Sequence, residues 1–350
     1  MPMWSEISTH KSRNSRRTAV IISRTPFRIP LGGGGTDLPS YYKQFDAFLV
    51  TAAVNKYMFI SINTPAIVDK IKLNYSKVEI VELDAIHSIR HEIVRESLQY
   101  LKIKQPLEIS SMADLSAGTG MGSSSSYTVG LLKGLNTLIR RDISTQELAE
   151  EACKVEIDLI GKPIGKQDQY AAAFGGIIQL EIDRLGKVRV TPLTIDHETV
   201  RELEHRLLMF YTHIERDANV ILSEQSKKVL VDEIDATRSM HNIKEIGRDI
   251  KNALERGDVT KFGELMHQHW MEKKKVSDKM SNHSIDAWYE KALRNGAIGG
   301  KIMGAGGGGF LLLCCENGKR KQLRSAMEEE GLRFTDFRFD WEGSKVLVNF

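Results

Sequence analysis

Cysteine is scarce in this chain, with three thiols (Cys153, Cys314 and Cys315) in 350 residues, so no disulfide framework staples it. Cys314 and Cys315 are neighbours in the apolar run FLLLCC that starts at Phe310. Buried thiols in a reducing compartment are therefore expected. Long hydrophobic runs are also missing, and the longest apolar stretches fall well short of the roughly 20 residues a membrane helix needs. Residues 1–18 are polar and basic (Lys11, Arg13, Arg16, Arg17) with no apolar segment following as in a secretory signal. These features predict a flexible basic N-terminal arm over 1–18, no membrane association and a cytoplasmic location. Nor is there an excess of one charge, since 49 basic and 46 acidic residues leave a net +3. No global field favours nucleic acid, and local basic groups must carry any anion recognition.

Several familiar motifs are absent too. No GxxxxGK[ST] occurs, which disfavours a Walker-type ATPase, and the HRD and DFG signatures of protein kinases are missing. Without HExxH or CxxC, and with His267 and His269 at i,i+2 spacing, no structural metal is expected. Gly304, Gly306 and Gly309 match GxGxxG, yet the residues that follow, FLLL, read as a strand where a dinucleotide fingerprint would open a helix. The glycine run 304–309 is better read as a loop that makes a close approach to a ligand or to another lobe.

The composition is that of a globular protein, 41% hydrophobic and 27% charged. Single cores stop growing at about 250 to 300 residues, so the length predicts two lobes flanking a cleft. The boundary is placed near residue 200, with domains over 19–200 and 201–350. Ordered structure is expected to begin with a short strand at 19–23 that ends at Pro26. Alternation over 48–62 and 70–81 predicts further strands or hairpins. Helices are expected over 85–100, 123–139 and 145–160, with strands after Gly175 up to about 195. From 217 to about 295 the chain reads as charged helix. Mixed structure then returns from 298–303 through the glycine run, with a strand at 310–315, a helix through Met327 and two final strands.

The strongest local signal is the segment 115–126, LSAGTGMGSSSS, which lies between a strand and a helix. Alternating glycines let backbone amides converge on an anion, and the helix N-terminus adds unsatisfied donors. Here Ser123 is expected to cap the helix, with the hydroxyls after it facing a bound phosphate and its Mg2+. Between 156 and 169 the sequence EIDLIGKPIGKQDQ gathers carboxylates and lysines around Gly and Pro breakers. One carboxylate there is suited to accept a hydroxyl proton and another to bind metal, although a lone residue such as Asp158 is more often a solvated helix charge. Near the start, Arg24, Arg28 and Asp37 flank the glycines 32–35.

Taken together, three segments resemble the three motifs of the GHMP kinases. These are TPFRIPL (25–31) through Thr36 and Asp37, the glycine–serine loop, and KIMGAGGGG (301–309). The resemblance spans nearly the whole chain. It implies an α+β, two-lobed GHMP kinase fold, with a ribosomal protein S5 domain 2-like N-terminal lobe that binds ATP and a ferredoxin-like C-terminal lobe. It also implies ATP and Mg2+ as cofactors. By the family pattern Asp168 matches the catalytic aspartate and Arg28 the arginine beside it. Ser124 and Glu156 match the Mg2+ ligands. Gly118, Gly120, Gly122, Ser123, Ser124 and Ser125 would line the nucleotide, and Gly34, Gly35, Thr36, Asp37, Gly306 and Gly307 the substrate.

Galactokinase-like members carry Gly-Glu-His where this chain has Gly33, Gly34 and Gly35. Its GGGTDLPSYY form is instead similar to the D-glycero-D-manno-heptose phosphate kinases, with the kinase domain of bifunctional fucokinase a cousin. The implied reaction is ATP-dependent phosphorylation of the anomeric hydroxyl of D-glycero-D-manno-heptose 7-phosphate to the 1,7-bisphosphate, in nucleotide-activated heptose biosynthesis. The partner is then a small sugar phosphate, and the protein a monomer or homo-oligomer. Lys162, Lys166, Arg216 and Lys301 are candidate cations for the 7-phosphate. Alternatives are a kinase for another sugar such as L-fucose, a related decarboxylase acting on diphosphomevalonate, and a non-catalytic sugar and ATP sensor.

Overall fold

The computed structural model describes residues 19–214, 218–230 and 234–350, so the basic arm and Arg216 lie outside the described residues. In chain order the elements are β1 (Val20–Gly32), α1 (Pro39–Phe45), β2 (Ala47–Asn63), β3 (Lys70–Asn74), β4 (Val78–Glu82), α2 (Glu92–Tyr100), β5 (Leu107–Ala113), α3 (Ser123–Leu138), α4 (Thr145–Cys153) and α5 (Gln167–Phe174). Next come β6 (Ile177–Ile182), β7 (Val188–Pro192), α6 (His197–Arg206), β8 (Leu207–Tyr211), α7 (Ala218–Leu230), α8 (Ile234–Glu255), α9 (Val259–Val276) and α10 (His283–Arg294). The chain closes with β9 (Ala297–Ile302), β10 (Phe310–Cys315), α11 (Arg320–Glu329), β11 (Arg333–Thr335) and β12 (Lys345–Asn349). Among the described residues no helix is long and apolar enough to cross a membrane.

The fold is α+β in two lobes. The N-terminal sheet runs in the order β12-β1-β2-β5-β3-β4, with β6 and β7 continuing from the other end of the long strand β2. The second sheet, β11-β8-β10-β9, is antiparallel throughout and belongs to the C-terminal half. The chain's last strand, β12, returns to pair with β1 and ties the end of the molecule to its beginning. One buried apolar cluster runs through both lobes, joining Phe27, Val50 and Leu131 to Met209, Phe262 and Phe310. Each such aromatic side chain contributes roughly 1.5–3 kcal/mol by leaving water. All three cysteines are buried, Cys153 on α4 and Cys314 and Cys315 on β10.

The expected short first strand is in fact thirteen residues long and passes through both Pro26 and Pro30. Bulges between Pro26 and Phe27 and between Pro30 and Gly32 absorb the irregularity. The partner β12 covers only Ile21–Arg24, so the edge beyond is open. There the Arg28 N–H donates to Met121 O (3.1 Å), away from β2. Pro30, two residues on, therefore has its missing N–H on that same open side and costs no ladder bond. The glycine–serine loop thus takes the edge that β12 leaves.

Two expected helices also change character. Residues 83–88 form a 3-10 segment before α2 begins at Glu92. After Cys153 the helix that starts at Thr145 widens into a π-turn over Lys154–Leu159. Such turns insert one residue and re-aim a side chain, here Glu156.

The 304–309 run touches the other lobe. A Cβ on Gly304 would lie 2.9 Å from Gly120 Cα, and one on Gly309 would lie 2.3 Å from Thr119 O. Gly309 also has a φ of +83°. We predict that Gly309→Ala loses roughly 1–3 kcal/mol of stability from backbone strain alone, seen as a lower urea midpoint, with a further penalty from the clash. An unchanged midpoint would show that the loops have room to part.

Candidate active site

The site begins with the way α3 starts. Gly122 is its N-cap at φ +78°, a left-handed conformation, and no side chain caps the helix. The expected Ser123 cap is absent because Ser123 is already the first helical residue. With the first bond running from Ser126 N to Gly122 O (2.9 Å), the amides of 123–125 have no partner within the helix. This is the arrangement that favours an anion at a helix N-terminus.

A cavity of about 960 Å3 opens over this loop. Its floor is the loop itself, with Gly118, Gly120, Gly122, Ser123, Ser124 and Ser125 among the lining residues. At one side the lining is apolar and aromatic, including Met58, Tyr75, His91, Ile93, Met112 and Tyr127. His91 stacks on Tyr127 at 4.8 Å and 23° and meets Tyr75 edge-on. Burial lowers the His91 pKa, favouring a neutral ring, and the slot suits a flat, uncharged ring system. The lining also includes Gly34, Gly35, Asp37, Leu222, Gln225 and Lys273.

Asp168, in the first turn of α5, lines the same cavity. Arg28 grips it with two parallel bonds, Nε to Oδ1 and Nη2 to Oδ2, each 2.7 Å. The third arm, Nη1, donates to Gly120 O at 2.7 Å. One guanidinium therefore fixes the carboxylate relative to the loop, and a planar fork does this better than an ammonium. The Asp168 side chain keeps 26% of its surface exposed, so it remains open to the cavity.

The second carboxylate, Glu156, is fully buried. Its Oε1 accepts from Ser124 Oγ (2.5 Å) and Lys162 Nζ (3.0 Å), and its Oε2 from Gln169 Nε2 (2.8 Å). Lys162 Nζ also reaches Ser124 Oγ at 2.5 Å. A buried carboxylate needs such partners, since an unpaired one costs several kcal/mol. Ser124 and Glu156 offer two adjoining hard oxygen donors, a set that fits Mg2+ completed by phosphate oxygens and water. Among the described residues there is no cluster of three or more His, Cys, Asp or Glu side chains placed to hold a metal alone.

Asp37 follows the glycine turn. Its Oδ1 accepts from Gly35 N and its Oδ2 from Gln167 N, both at 3.0 Å. Burial raises its pKa despite these bonds, with the nearby Asp168 charge adding to the rise. Thr36, by contrast, is fully buried and donates to Gly33 O (2.7 Å) and Phe48 O (3.2 Å), bracing the turn without lining the cavity. Gly306 and Gly307 do not line it either; they pack on Met280, whose carbonyl accepts from Gly307 N at 2.8 Å. Gly304 and Ala305 face the cavity in their place.

The candidate cations part company. Lys166 Nζ donates to Gly186 O at 2.5 Å and sits over the Tyr42 ring, outside the cavity lining. Lys301 is buried, with Nζ 2.9 Å from Leu31 O, so it joins the lobes and does not reach the cavity. Burial and the neighbouring Lys273 and Arg28 charges push its pKa well down. Lys273, Gln225 and the aromatic slot escaped the sequence reading because the first two come from charged helix and the rings of the slot from separate segments, Tyr75 between β3 and β4, His91 before α2 and Tyr127 on α3. For the slot, the only signal was the aromatic residues at 75 and 127 on either side of the second motif.

Known proteins fit this geometry. Residues 70–176 match the GHMP kinases N terminal domain and residues 250–332 the GHMP kinases C terminal family. The chain is 32% identical over 339 residues to D-glycero-alpha-D-manno-heptose 7-phosphate kinase of Campylobacter jejuni, covering 93% of this chain and 98% of that one. The chain belongs to the GHMP kinase family. As a GHMP kinase it shares its fold with a D-glycero-D-manno-heptose 1-phosphate kinase from Bacteroides thetaiotaomicron, at a TM-score of 0.77 and 24% identity over 94% of this chain and 99% of that one. A galactokinase from Lactococcus lactis, solved with galactose, superposes at a TM-score of 0.75 and 20% identity over 95% of each chain. At those identities the likeness is one of fold.

The raised Asp37 pKa gives a signed expectation. Above its unfolded value of 3.8 the folded state binds more protons than the unfolded one, so the stability contributed by Asp37 is complete at lower pH. It is lost as pH rises through the folded pKa. Wild type should therefore lose stability relative to Asp37→Asn as pH is raised from about 4, in parallel urea titrations. A gap between the two that stays constant with pH would show that Asp37 titrates as an exposed carboxylate.

Proposed function

We propose that this chain transfers the γ-phosphoryl group of ATP to the anomeric hydroxyl of D-glycero-D-manno-heptose 7-phosphate, giving the 1,7-bisphosphate. The observation that carries the kinase chemistry is Asp168, held by two bonds from Arg28 at the edge of a loop whose helical amides are uncapped. The acceptor is suggested by the GGGTD turn and by the name of the Campylobacter jejuni relative, which matches almost end to end.

In this reading the aromatic slot takes the adenine and the loop amides take the triphosphate. Ser124 and Glu156 would hold Mg2+, which supplies positive charge for the phosphate oxygens. Asp168 orients the C1 hydroxyl and accepts its proton as the new O–P bond forms, the bond to the β-phosphate breaks and ADP leaves. Arg28 keeps the carboxylate aimed, and its remaining arm stops the loop from drifting away. Such transfer is largely positioning and electrostatics, so a clamped carboxylate beside an amide-lined loop is sufficient apparatus.

Two measurements test the proposal. With Mg·ATP, the heptose 7-phosphate should release ADP and yield a bisphosphate visible by phosphorus NMR. Transfer to L-fucose alone would move the acceptor, and no transfer to any sugar would favour a sensor. Asp168→Asn should cut kcat by roughly 100- to 10,000-fold, the usual range for a lost proton acceptor, while leaving the KM for ATP within about twofold. Full turnover by that variant would reject the role given to Asp168.

A further inference from the structure

In the proposed reaction Asp168 takes the proton of the anomeric hydroxyl, and the inference that follows rests on that reading. We infer that Gln167, the residue before it, binds the acceptor at its C2 hydroxyl and so selects a sugar that carries one. Gln167 and Asp168 open α5, and both line the cavity. In the sugar ring the anomeric carbon has two neighbours, the ring oxygen and C2, so the hydroxyl beside the reacting one is that on C2. A side chain whose Cα stands about 3.8 Å from that of Asp168 is placed to reach it.

The Gln167 carboxamide is waiting for a partner. The residue is 5% exposed, and its Nε2 is buried with no hydrogen bond among the described residues. Its backbone is fixed, because Gln167 N donates to Asp37 Oδ2 at 3.0 Å. An enclosed amide nitrogen without a partner is unfavourable, and in a cavity wall it calls for a ligand. The polar side chains around it have partners already: Asp37 accepts from two backbone amides, Asp168 accepts from Arg28, and Gln225 Nε2 is turned to Met240 Sδ. A sugar hydroxyl both donates and accepts, and Gln167 supplies the donor that the carboxylate of Asp168 lacks.

Gly34 supplies a second, independent sign. Unlike Gly33 (φ +74°) and Gly35 (φ +100°), it does not have a positive φ. A Cβ placed on it would meet Gln167 Oε1 at 3.5 Å and Pro30 Cβ at 3.9 Å, which are ordinary contact distances. Neither strain nor a clash therefore requires glycine there. What the bare Cα leaves is open room against the Gln167 carboxamide, and Gly34 and Pro30 both line the cavity. A half-turn about the last side-chain bond exchanges Oε1 and Nε2 and breaks no bond to Nε2, so the end that faces this room can be the donor.

The test compares D-glycero-D-manno-heptose 7-phosphate with its 2-deoxy analogue on the full chain. Wild type should prefer the parent in kcat/KM by roughly 3- to 30-fold, the range for one hydrogen bond to a neutral hydroxyl. Gln167→Met keeps the length of the side chain and removes the carboxamide. It should cut kcat/KM on the parent by that same factor while the value for the 2-deoxy compound and the KM for ATP stay within about twofold. It should also melt no lower than wild type, since no hydrogen bond of the carboxamide nitrogen is lost with it. Gly34→Ala, which covers the carboxamide without strain, should erase the preference and melt as wild type does. Equal losses on the two acceptors, or no loss on the parent, would overturn the inference, and a raised KM for ATP would do so by assigning Gln167 to the donor. A wild type that takes both acceptors equally well refutes the inference alone. If wild type phosphorylates neither, the acceptor reading fails first and the inference falls with it.

Discussion

The arrangement turns on one guanidinium. Arg28 is reached by a strand from the N-terminal sheet, yet it binds a carboxylate at the start of α5 and a carbonyl in the loop before α3. Three segments far apart in sequence are thereby held to within a hydrogen bond of one another. Its own backbone N–H adds a fourth tie, to Met121 O. The backbone tie uses the edge of β1 left open where the pairing with β12 ends at Arg24, and Pro30 denies that edge to another strand.

The same economy governs the metal-type oxygen pair. Glu156 is fully enclosed, a position a carboxylate tolerates only with several donors around it. The π-turn aims it at Ser124, and Lys162 balances its charge. From the other lobe, the glycine-rich loop closes against Thr119 and Gly120 so tightly that only residues without a Cβ fit. The cleft is therefore shaped by backbone contact, while the chemistry is left to a few side chains.

Most of this was legible wherever the signal is local. Period-two alternation marked β2 and the β3–β4 hairpin, apolar spacing marked α3, and the uncommon loop LSAGTGMGSSSS announced its own use. What stayed hidden depended on partners distant in sequence. Pro26 reads as a strand end unless one knows which edge is unpaired. A π-turn has no distinct hydrophobic period, so 145–160 reads as plain helix. Lys301 looks like a phosphate ligand beside a glycine run, but its strand carries it beneath Leu31. Lys273 lies in the run KKK, which reads as solvated surface, and only the packing of α9 under the 304–309 loop turns it inward.

The central claim is that one clamped carboxylate faces the acceptor while a separate oxygen pair holds the metal. A crystal structure of the complete chain with a non-hydrolysable ATP analogue, Mg2+ and the heptose 7-phosphate tests it most directly. The account predicts the metal on Ser124 and Glu156, with Lys162 moved aside, and the anomeric hydroxyl within hydrogen-bond reach of Asp168 while Arg28 keeps its grip. A metal bound to Asp168, or an acceptor hydroxyl turned away from it, would contradict the account.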